Sequence, residues 1–450
     1  MKKHKLTTTH IIMMGFLAGI VLGTICLALP ISTREGQDVN LIDALFVSVS
    51  SICVTGLSTV NIGQTFSLFG QIVILLLIQF GGLGIVTFTT LVLLLFHRRI
   101  TLSERLLIQN AYNLDSLSGL IKLTVRIFKV TLCIEGLGAI GYSFVFVPEY
   151  GLKGIWYSIF HAVSAFCNAG IDLLGGNSFC GYSHNVILNV VTIMLIIVSG
   201  LGFPVYWEIV RVAKYKIKGT RSGNEPKLNI QVKLVFVTTA VLILVGFAAT
   251  LLFEYHNPDT LGDFSLKDKI MASLFQSVTL RTAGFSTIDQ SFFSDESCLV
   301  YIVLMFIGGS PAGTAGGVKT VTIALLFASL IANIKGEEHV TVFRRKIADS
   351  VIRRCVAIVL FSLSVLIVLS VALIYVQDGN FLDVCYEMTS AIATVGLSRG
   401  LTGSLNDVGK IIVALTMYLG RIGPITLPLA FYSKNIRKEV SYGESKVIIG

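Results

Sequence analysis

The chain has 450 residues and a net charge of +9, and its composition excludes a soluble globular protein. Hydrophobic residues make up 54% of it and charged residues only 14%, which is more apolar surface than a soluble core can bury. A membrane-spanning helix needs about 20 mostly apolar residues, and several uncharged stretches reach that length. We therefore predict an all-α membrane protein.

The positive charge is grouped by segment, which argues against a nucleic-acid-binding surface. Of the 35 Lys and Arg residues, 26 lie in the N-terminal tail, in 98–129, 211–233 and 335–354, and after residue 432. The alternate loops carry acidic residues instead. Because cytoplasmic loops are enriched in Lys and Arg, the pattern predicts that both termini are cytoplasmic and that the number of spans is even. The basic loops also suit contact with anionic membrane lipid.

A short apolar segment that ends in a glycine turn recurs four times along the chain. Each copy lies between two hydrophobic stretches, which predicts four units of helix, re-entrant pore helix and helix around one pseudo-fourfold pore, with eight transmembrane helices in all. Each apolar segment has about ten residues before its glycine, which is too short to span. The copies are Phe46–Ser58, Phe160–Asp172, Leu274–Ser286 and Tyr386–Ser398.

These units divide the chain into pore repeats at 1–100, 101–220, 221–340 and 341–435, followed by a cytoplasmic tail at 436–450. The predicted helices that enter the repeats are 11–29, 120–147, 232–254 and 354–376. The predicted helices that leave them are 68–96, 186–212, 298–333 and 409–432.

The residues that end at each repeated glycine are candidates for binding a monovalent cation. Backbone carbonyls can replace the hydration shell of such an ion without a fixed negative charge, and glycine allows backbones to crowd an axis with φ > 0. The alternative is that these glycines only let helices pack closely, but four copies in register favour a filter. The candidates are Val54, Thr55, Gly56, Asn168, Ala169, Gly170, Thr282, Ala283, Gly284, Thr394, Val395 and Gly396.

Several short motifs accompany the turns, at Pro30–Thr33, Gly81–Gly84, Arg281–Phe285 and Leu419–Pro424. Together with the four glycines they resemble the Trk/Ktr/HKT superfamily of potassium transporters, and in particular the bacterial Ktr-type membrane subunit, over nearly the whole chain. The resemblance implies potassium uptake across the bacterial plasma membrane. Three turns depart from the potassium-channel consensus, so a less selective cation channel and a sodium-coupled symporter stay open as alternatives.

The resemblance also implies what this subunit binds. It implies a homodimer with one pore per subunit, and a cytoplasmic octameric ring of nucleotide-binding, Rossmann-type regulatory subunits. Potassium is the expected substrate and sodium an expected activator, with no covalently bound cofactor. No nucleic acid is expected among the partners.

A glycine-rich segment at 308–319 interrupts the leaving helix of the third repeat, where Gly and Pro disfavour a straight helix. By resemblance it is an intramembrane loop that gates the cavity beneath the filter, although a flexible packing kink is an alternative. A phosphate-binding loop is excluded because Val318 interrupts the required Gly-Lys-Thr and no strand precedes it. The gate candidates are Gly308, Gly309, Ser310, Gly313, Thr314, Gly316, Gly317, Lys319 and Arg421.

Arg421, Glu135 and His161 are ionisable side chains inside the predicted membrane. An ionised Arg421 would cost at least about 2.5 kcal/mol there unless it faced water or a partner, so we expect it to face the pore, with an interhelical salt bridge as the alternative. For Glu135 a structural pair is favoured over a coupling-ion site. For His161 a hydrogen-bonded core position is favoured.

Two other function classes find little support in the sequence. No catalytic motif of the H-E-x-x-H or G-x-S-x-G type is present, which argues against a membrane enzyme. An inverted-repeat transporter is disfavoured because all four units dip from the same side. The eight cysteines are predicted to be free thiols.

Overall fold

The computed structural model describes residues 8–84, 87–88, 90, 120–217 and 228–423. The tail 436–450 and the predicted repeat boundaries near residues 100 and 220 lie outside the described residues. Within the described ranges the chain is mostly α-helical. The one sheet is a hairpin of β1 (Thr341–Val342) and β2 (Arg345–Lys346).

The helices follow the four repeats in chain order. The first repeat contains α1 (Thr8–Leu27), α2 (Leu41–Cys53), α3 (Ile62–Thr65) and α4 (Leu68–Leu83). The second contains α5 (Leu120–Tyr150), α6 (Leu152–Cys167), α7 (Val186–Leu201) and α8 (Phe203–Ile217). The third contains α9 (Ile230–Glu254), α10 (Leu266–Thr279), α11 (Asp295–Phe306) and α12 (Thr320–Ile334). The fourth contains α13 (Asp349–Val376), α14 (Phe381–Ala393), α15 (Leu401–Ser404) and α16 (Asp407–Ile422). Short 3-10 turns occur at Pro30–Ser32, Cys180–Tyr182 and Gln290–Phe292.

Four helices of the described part, α1, α5, α9 and α13, are long and apolar enough to cross a membrane individually, and α7 with α8 makes a fifth if that bent pair is one span. Their outward side chains are apolar: Leu22 is 63% exposed and Leu244 is also 63% exposed. Exposed aliphatic rows of this kind would be unfavourable in water. They therefore belong against lipid.

The helices α2, α6, α10 and α14 lie at the centre of the molecule and end at the repeated turns. They have 13, 16, 14 and 13 residues, longer than the ten expected from the sequence. Small residues such as Ser48 and Ala162 are fully buried among them. We call these four the pore helices because each leads into a filter turn, defined as the three candidate residues ending in glycine.

The four repeats close into a ring. The helix that leaves each filter turn packs against the pore helix of the next repeat: α4 on α6, α7 on α10, α11 on α14, and finally α16 back on α2. An ion pair of 2.8 Å between Lys410 Nζ and Asp43 Oδ1 joins the last repeat to the first. Every pore helix is thus covered by a neighbour.

Glycines with positive φ interrupt the leaving helices, and the ends of the predicted helices 68–96 and 409–432 lie outside the described residues. The single helix expected at 186–212 is wrong: α7 ends before Gly202 (φ 88°), and α8 starts with a bend of 91°. Gly84 and Gly423 have φ of 81° and 93° at the ends of α4 and α16. A right-handed helix cannot continue through such a residue.

Candidate functional site

The four filter turns share one unusual backbone conformation. The residue two positions before each glycine has a left-handed φ: Val54 58°, Asn168 60°, Thr282 65° and Thr394 53°. Positive φ is rare for β-branched residues, and such strain persists only where the surrounding structure enforces it, often at functional sites. The turns are therefore built alike although their side chains differ.

The glycines of the turns also have positive φ, between 65° and 100°, and they crowd one another in cyclic order. A Cβ atom on Gly170 would lie 2.6 Å from the carbonyl oxygen of Ala283, and one on Gly284 would lie 2.6 Å from that of Val395. On Gly396 it would clash with the carbonyl oxygen of Thr55, and on Gly56 with that of Ala169. No side chain larger than hydrogen fits these four places.

The middle residue of each turn is buried, and its backbone N–H group bonds back to its own pore helix. The donors and acceptors are Thr55 N to Ser50 O at 2.8 Å, Ala169 N to Ser164 O at 2.7 Å, Ala283 N to Thr279 O at 3.0 Å and Val395 N to Ser390 O at 2.8 Å. These four N–H groups are thus hydrogen-bonded to carbonyl oxygens at the ends of the pore helices. The turns leave no such N–H group to repel a cation at this level.

A hydroxyl group on each pore helix supports the turn that follows, which the sequence analysis did not identify. Ser50, Ser164 and Ser390 stand four residues after an aromatic residue in their copies, so this signal was present in the aligned repeats. The bonds are Gly56 N to Ser50 Oγ at 3.0 Å, Ile171 N to Ser164 Oγ at 3.0 Å, Thr279 Oγ1 to Phe285 O at 2.5 Å and Gly396 N to Ser390 Oγ at 3.1 Å.

A polar cavity of about 420 Å³ opens on one side of the turns, and all four filter glycines line it. Asp172 and Asp289 also line it, and neither was a sequence candidate. Asp172 Oδ1 accepts a hydrogen bond of 2.8 Å from Leu174 N. Carboxylates at the mouth of a narrow site raise the local concentration of cations. We call this cavity the vestibule.

Residues 307–319 form a compact loop that contacts the turns through residues outside the vestibule lining. Gly316 N donates to Thr282 Oγ1 at 3.2 Å, and Thr314 Oγ1 donates to Phe166 O at 3.2 Å. We call this segment the intramembrane loop. The structure therefore brings gate candidates directly against the filter turn of the third repeat and against the end of the pore helix α6 in the second.

The arms of the loop are held to each other. Gly308 N donates to Val318 O at 3.0 Å, and Thr320 N donates to Gly309 O at 3.0 Å. The hydroxyl groups of Ser310 and Thr320 lie 3.0 Å apart. At Gly317, φ is 67°. This local bonding makes the loop a defined structure rather than an unwound kink.

The break between α7 and α8 receives the tip of the loop. Ser310 N donates to Gly200 O at 3.0 Å and Phe203 N donates to Ala312 O at 3.1 Å. A Cβ atom on Gly313 would lie 3.0 Å from the carbonyl oxygen of Ser199. This contact could not be predicted from the sequence, because the apolar run at 186–212 predicts an uninterrupted helix.

Arg421 and Lys319 bind backbone carbonyl groups around the loop. Arg421 donates to Thr314 O at 2.8 Å and to Gly81 O at 2.5 Å, so it joins the loop to the end of α4. Lys319 Nζ donates to Ala315 O at 2.6 Å. In the described part of the chain the guanidinium thus contacts carbonyl oxygens, not the carboxylate that the salt-bridge alternative requires.

Glu135 and His161 both have structural partners. Glu135 is buried and accepts a bond of 3.4 Å from Gln79 Nε2, which is a pair with a distant glutamine rather than a nearby base. His161 is buried, and its ring nitrogens bond Tyr157 O at 2.7 Å and Leu173 N at 3.3 Å. All eight cysteines are free, as the sequence analysis predicted.

The chain is similar to known proteins along nearly its whole length, not only at the turns. The family model described as TrkH, cation transport protein, matches residues 6–438. The chain is 36% identical to the Ktr system potassium uptake protein B of Bacillus subtilis, covering 99% of this chain and 97% of that protein. It is also 36% identical to the potassium/sodium uptake protein NtpJ of Enterococcus hirae, covering 100% and 98%.

A solved structure has the same architecture. The crystal structure of the potassium transporter TrkH from Vibrio parahaemolyticus superposes with a TM-score of 0.72, at 19% identity, over 96% of this chain and 86% of that one. At this identity the likeness shows the fold alone.

Proposed function

The chain belongs to the TrkH family of cation transport proteins, and on that premise we propose that it takes up potassium through the four filter turns. Because the family is one of cation transporters, the chain is a transporter and not a membrane enzyme. The observation that carries the proposal is the cyclic crowding of Gly56, Gly170, Gly284 and Gly396.

The proposed potassium ligands are the backbone carbonyls of the filter turns. Chemically equivalent carbonyl groups from four sides can replace the water shell of a monovalent cation. The helix ends of α2, α6, α10 and α14 add negative partial charge at the turns. The ion would enter from the vestibule, where Asp172 and Asp289 attract it.

The proposed gate is the intramembrane loop with Lys319 and Arg421. The loop contacts Thr282 of the third filter turn and Phe166 of α6, and Arg421 joins it to α4. Potassium leaving the filter would meet these two cations. Movement of the loop away from the turns would open the path.

The proposal extends to topology. The four predicted repeats would each contribute two spans, giving eight spans in a plasma membrane with both termini in the cytoplasm. The interruptions at Gly84, Gly202 and Gly423 and in the intramembrane loop explain why fewer helices are long enough to span individually. Broken helices are tolerated at this depth where protein or a wet cavity satisfies the backbone.

The proposed partners are a second copy of the chain and cytoplasmic regulatory subunits. The Bacillus subtilis relative is named as one protein of a Ktr system, which supports a separate regulatory component. The octameric nucleotide-binding ring and the activation by sodium are proposed on the family resemblance. The Enterococcus hirae relative is named for both potassium and sodium, so weaker selectivity or sodium coupling is the second candidate.

Channel-like flow is enough to drive the proposed uptake. A membrane potential of 100 mV is worth about 2.3 kcal/mol per charge. Because a tenfold gradient corresponds to about 1.4 kcal/mol, that potential would sustain roughly a fifty-fold accumulation of potassium. Coupling to a second ion is therefore not required energetically.

Gly284→Ser tests the filter proposal. We expect weaker rubidium influx and competition by sodium in cells that lack their own potassium uptake, because the new side chain meets Val395 O at φ 81°. Gly36→Ser is the matched control, since Gly36 has a similar φ of 79° but nothing within 4 Å of its Cβ position.

The two variants should be assayed with and without a Ktr-type regulatory partner, after confirming equal amounts of folded protein in the membrane. Equal influx and equal sodium competition in Gly284→Ser and native chain would refute the filter. Absence of flux in the native chain under both conditions would refute uptake itself.

A further inference from the structure

A narrow crevice lies between α13 and the intramembrane loop, apart from the vestibule. It is lined by Phe361 and Val365 of α13, Leu419 of α16, Phe306 of α11 and Val318 of the loop. Its open interior is about 20 Å³, close to the least that holds one water. The crevice is therefore a slot that suits something thin.

The lining calls for an apolar occupant. The one hydroxyl group among the side chains that line the crevice belongs to Ser362. It already donates to Ile358 O at 2.9 Å within α13. The other side chains that line the crevice are aliphatic or aromatic. A bound water needs two to four polar partners, which these side chains do not provide. Hydrocarbon loses nothing on entering such a site and gains dispersion contacts.

The helix α13, which lines the crevice, also carries a surface suited to lipid. Only 17% of the spanning window of α13 is buried. Leu360 is 60% exposed and Ile367 61% exposed on this helix. Since α13 has the length and composition of a membrane span, the medium against this surface is acyl chains.

We propose that the crevice binds one acyl chain of a membrane phospholipid. The occupant would touch both the intramembrane loop and the residue before the fourth filter turn. Val318 belongs to the intramembrane loop. It is buried, and its N–H group donates to Phe306 O at 3.1 Å. Ala393, also in the lining, immediately precedes Thr394 of the fourth filter turn. A chain between α13 and these residues braces both of them.

The test is photolabelling of the full-length chain in vesicles of phosphatidylcholine and phosphatidylglycerol. A phosphatidylcholine with a diazirine near the end of one acyl chain is the probe, and labelled positions are mapped by mass spectrometry. We expect label on Phe361 and Leu419. Val365→Trp fills the slot and should remove that label, whereas Ile367→Trp on the exposed side of α13 should leave it in place.

Label at Phe361 and Leu419 that persists in Val365→Trp would overturn the proposal, as would label confined to the exposed side of α13. Disulfide cross-linking between two copies of Val365→Cys, with no lipid label at the crevice, would assign the crevice to a second copy instead. If size-exclusion chromatography shows that Val365→Trp is misfolded, Val365→Phe fills the slot with a smaller side chain and replaces it in the labelling experiment. The label does not depend on conduction, so its result is separate from that of the filter experiment.

Discussion

At the scale of single residues, the filter turns depend on hydrogen bonds that reach from the pore helices. The hydroxyl of Ser390 accepts from Gly396 N at 3.1 Å, and Ser50 does the same for Gly56 at 3.0 Å. Such bonds fix where the turn sits relative to its helix. Selectivity by carbonyl groups depends on how well those oxygens are held.

Ser390→Ala should loosen the fourth filter turn. It removes the acceptor of the half-buried Gly396 N–H group, and such a hydrogen bond contributes about 0.5–1.5 kcal/mol net. We expect a lower thermal midpoint in detergent and stronger sodium competition with rubidium influx. Ser364→Ala is the control, because that hydroxyl bonds only Leu360 O on the exposed side of α13; equal effects in both variants would contradict this role.

Thr282→Val should release the intramembrane loop. It keeps the side-chain shape but removes the acceptor of Gly316 N, and Val54 shows that valine tolerates this position of the turn at φ 58°. A hydrogen bond contributes about 0.5–1.5 kcal/mol net, so the ratio of open to closed loops should rise by up to about tenfold.

The measurement is rubidium influx without regulatory subunits, where Thr282→Val should exceed the native chain. Thr282→Ser retains the hydroxyl and should behave like the native chain. If the Ser variant leaks as much as the Val variant, the hydrogen bond to Gly316 is not what holds the loop.

At the scale of elements, the sequence repeats predicted the pore helices, their turns and the break at 308–319 in the third leaving helix, but not the break at Gly202. The four glycines stood out because they recur in register. Gly202 did not, because Ser199–Gly202 reads as part of an apolar helix, and only the approach of Gly313 from the third repeat explains its conformation. The partner of Glu135 was equally hidden, since Gln79 lies in a different repeat.

Gly202→Ala should destabilise the junction of α7 and α8. Gly202 has φ 88° and ψ 147°, a combination nearly restricted to glycine, so alanine there costs about 1–3 kcal/mol. Its Cβ would also lie 2.5 Å from the carbonyl oxygen of Pro311 in the intramembrane loop. We expect a lower thermal midpoint and altered basal rubidium influx. Gly200→Ala, with nothing within 4 Å, should change neither, and similar losses in both would show that the break carries no special constraint.

At the scale of the whole molecule, the ring is closed by the packing of α16 on α2. This closure was implied by four repeats in one direction, but its register could not be read from sequence. The Lys410–Asp43 pair and the cyclic order of leaving helices on pore helices place four non-identical turns around one centre. A single chain can thereby give each turn a different side chain, such as Val54 and Asn168, while keeping one backbone geometry.

The orientation of this ring in the membrane can be tested with single cysteines. Asp259 lies in the exposed loop between α9 and α10, and Glu338 lies in the exposed segment between α12 and β1. Because Lys and Arg accumulate on the cytoplasmic side, we expect Asp259→Cys to react with a membrane-impermeant thiol reagent in intact cells. Glu338→Cys should react only after permeabilisation, and the native chain gives the background of its own cysteines. Reaction of Glu338→Cys in intact cells would place the basic hairpin outside, so that the vestibule would face the cytoplasm and the proposed direction of entry would be reversed.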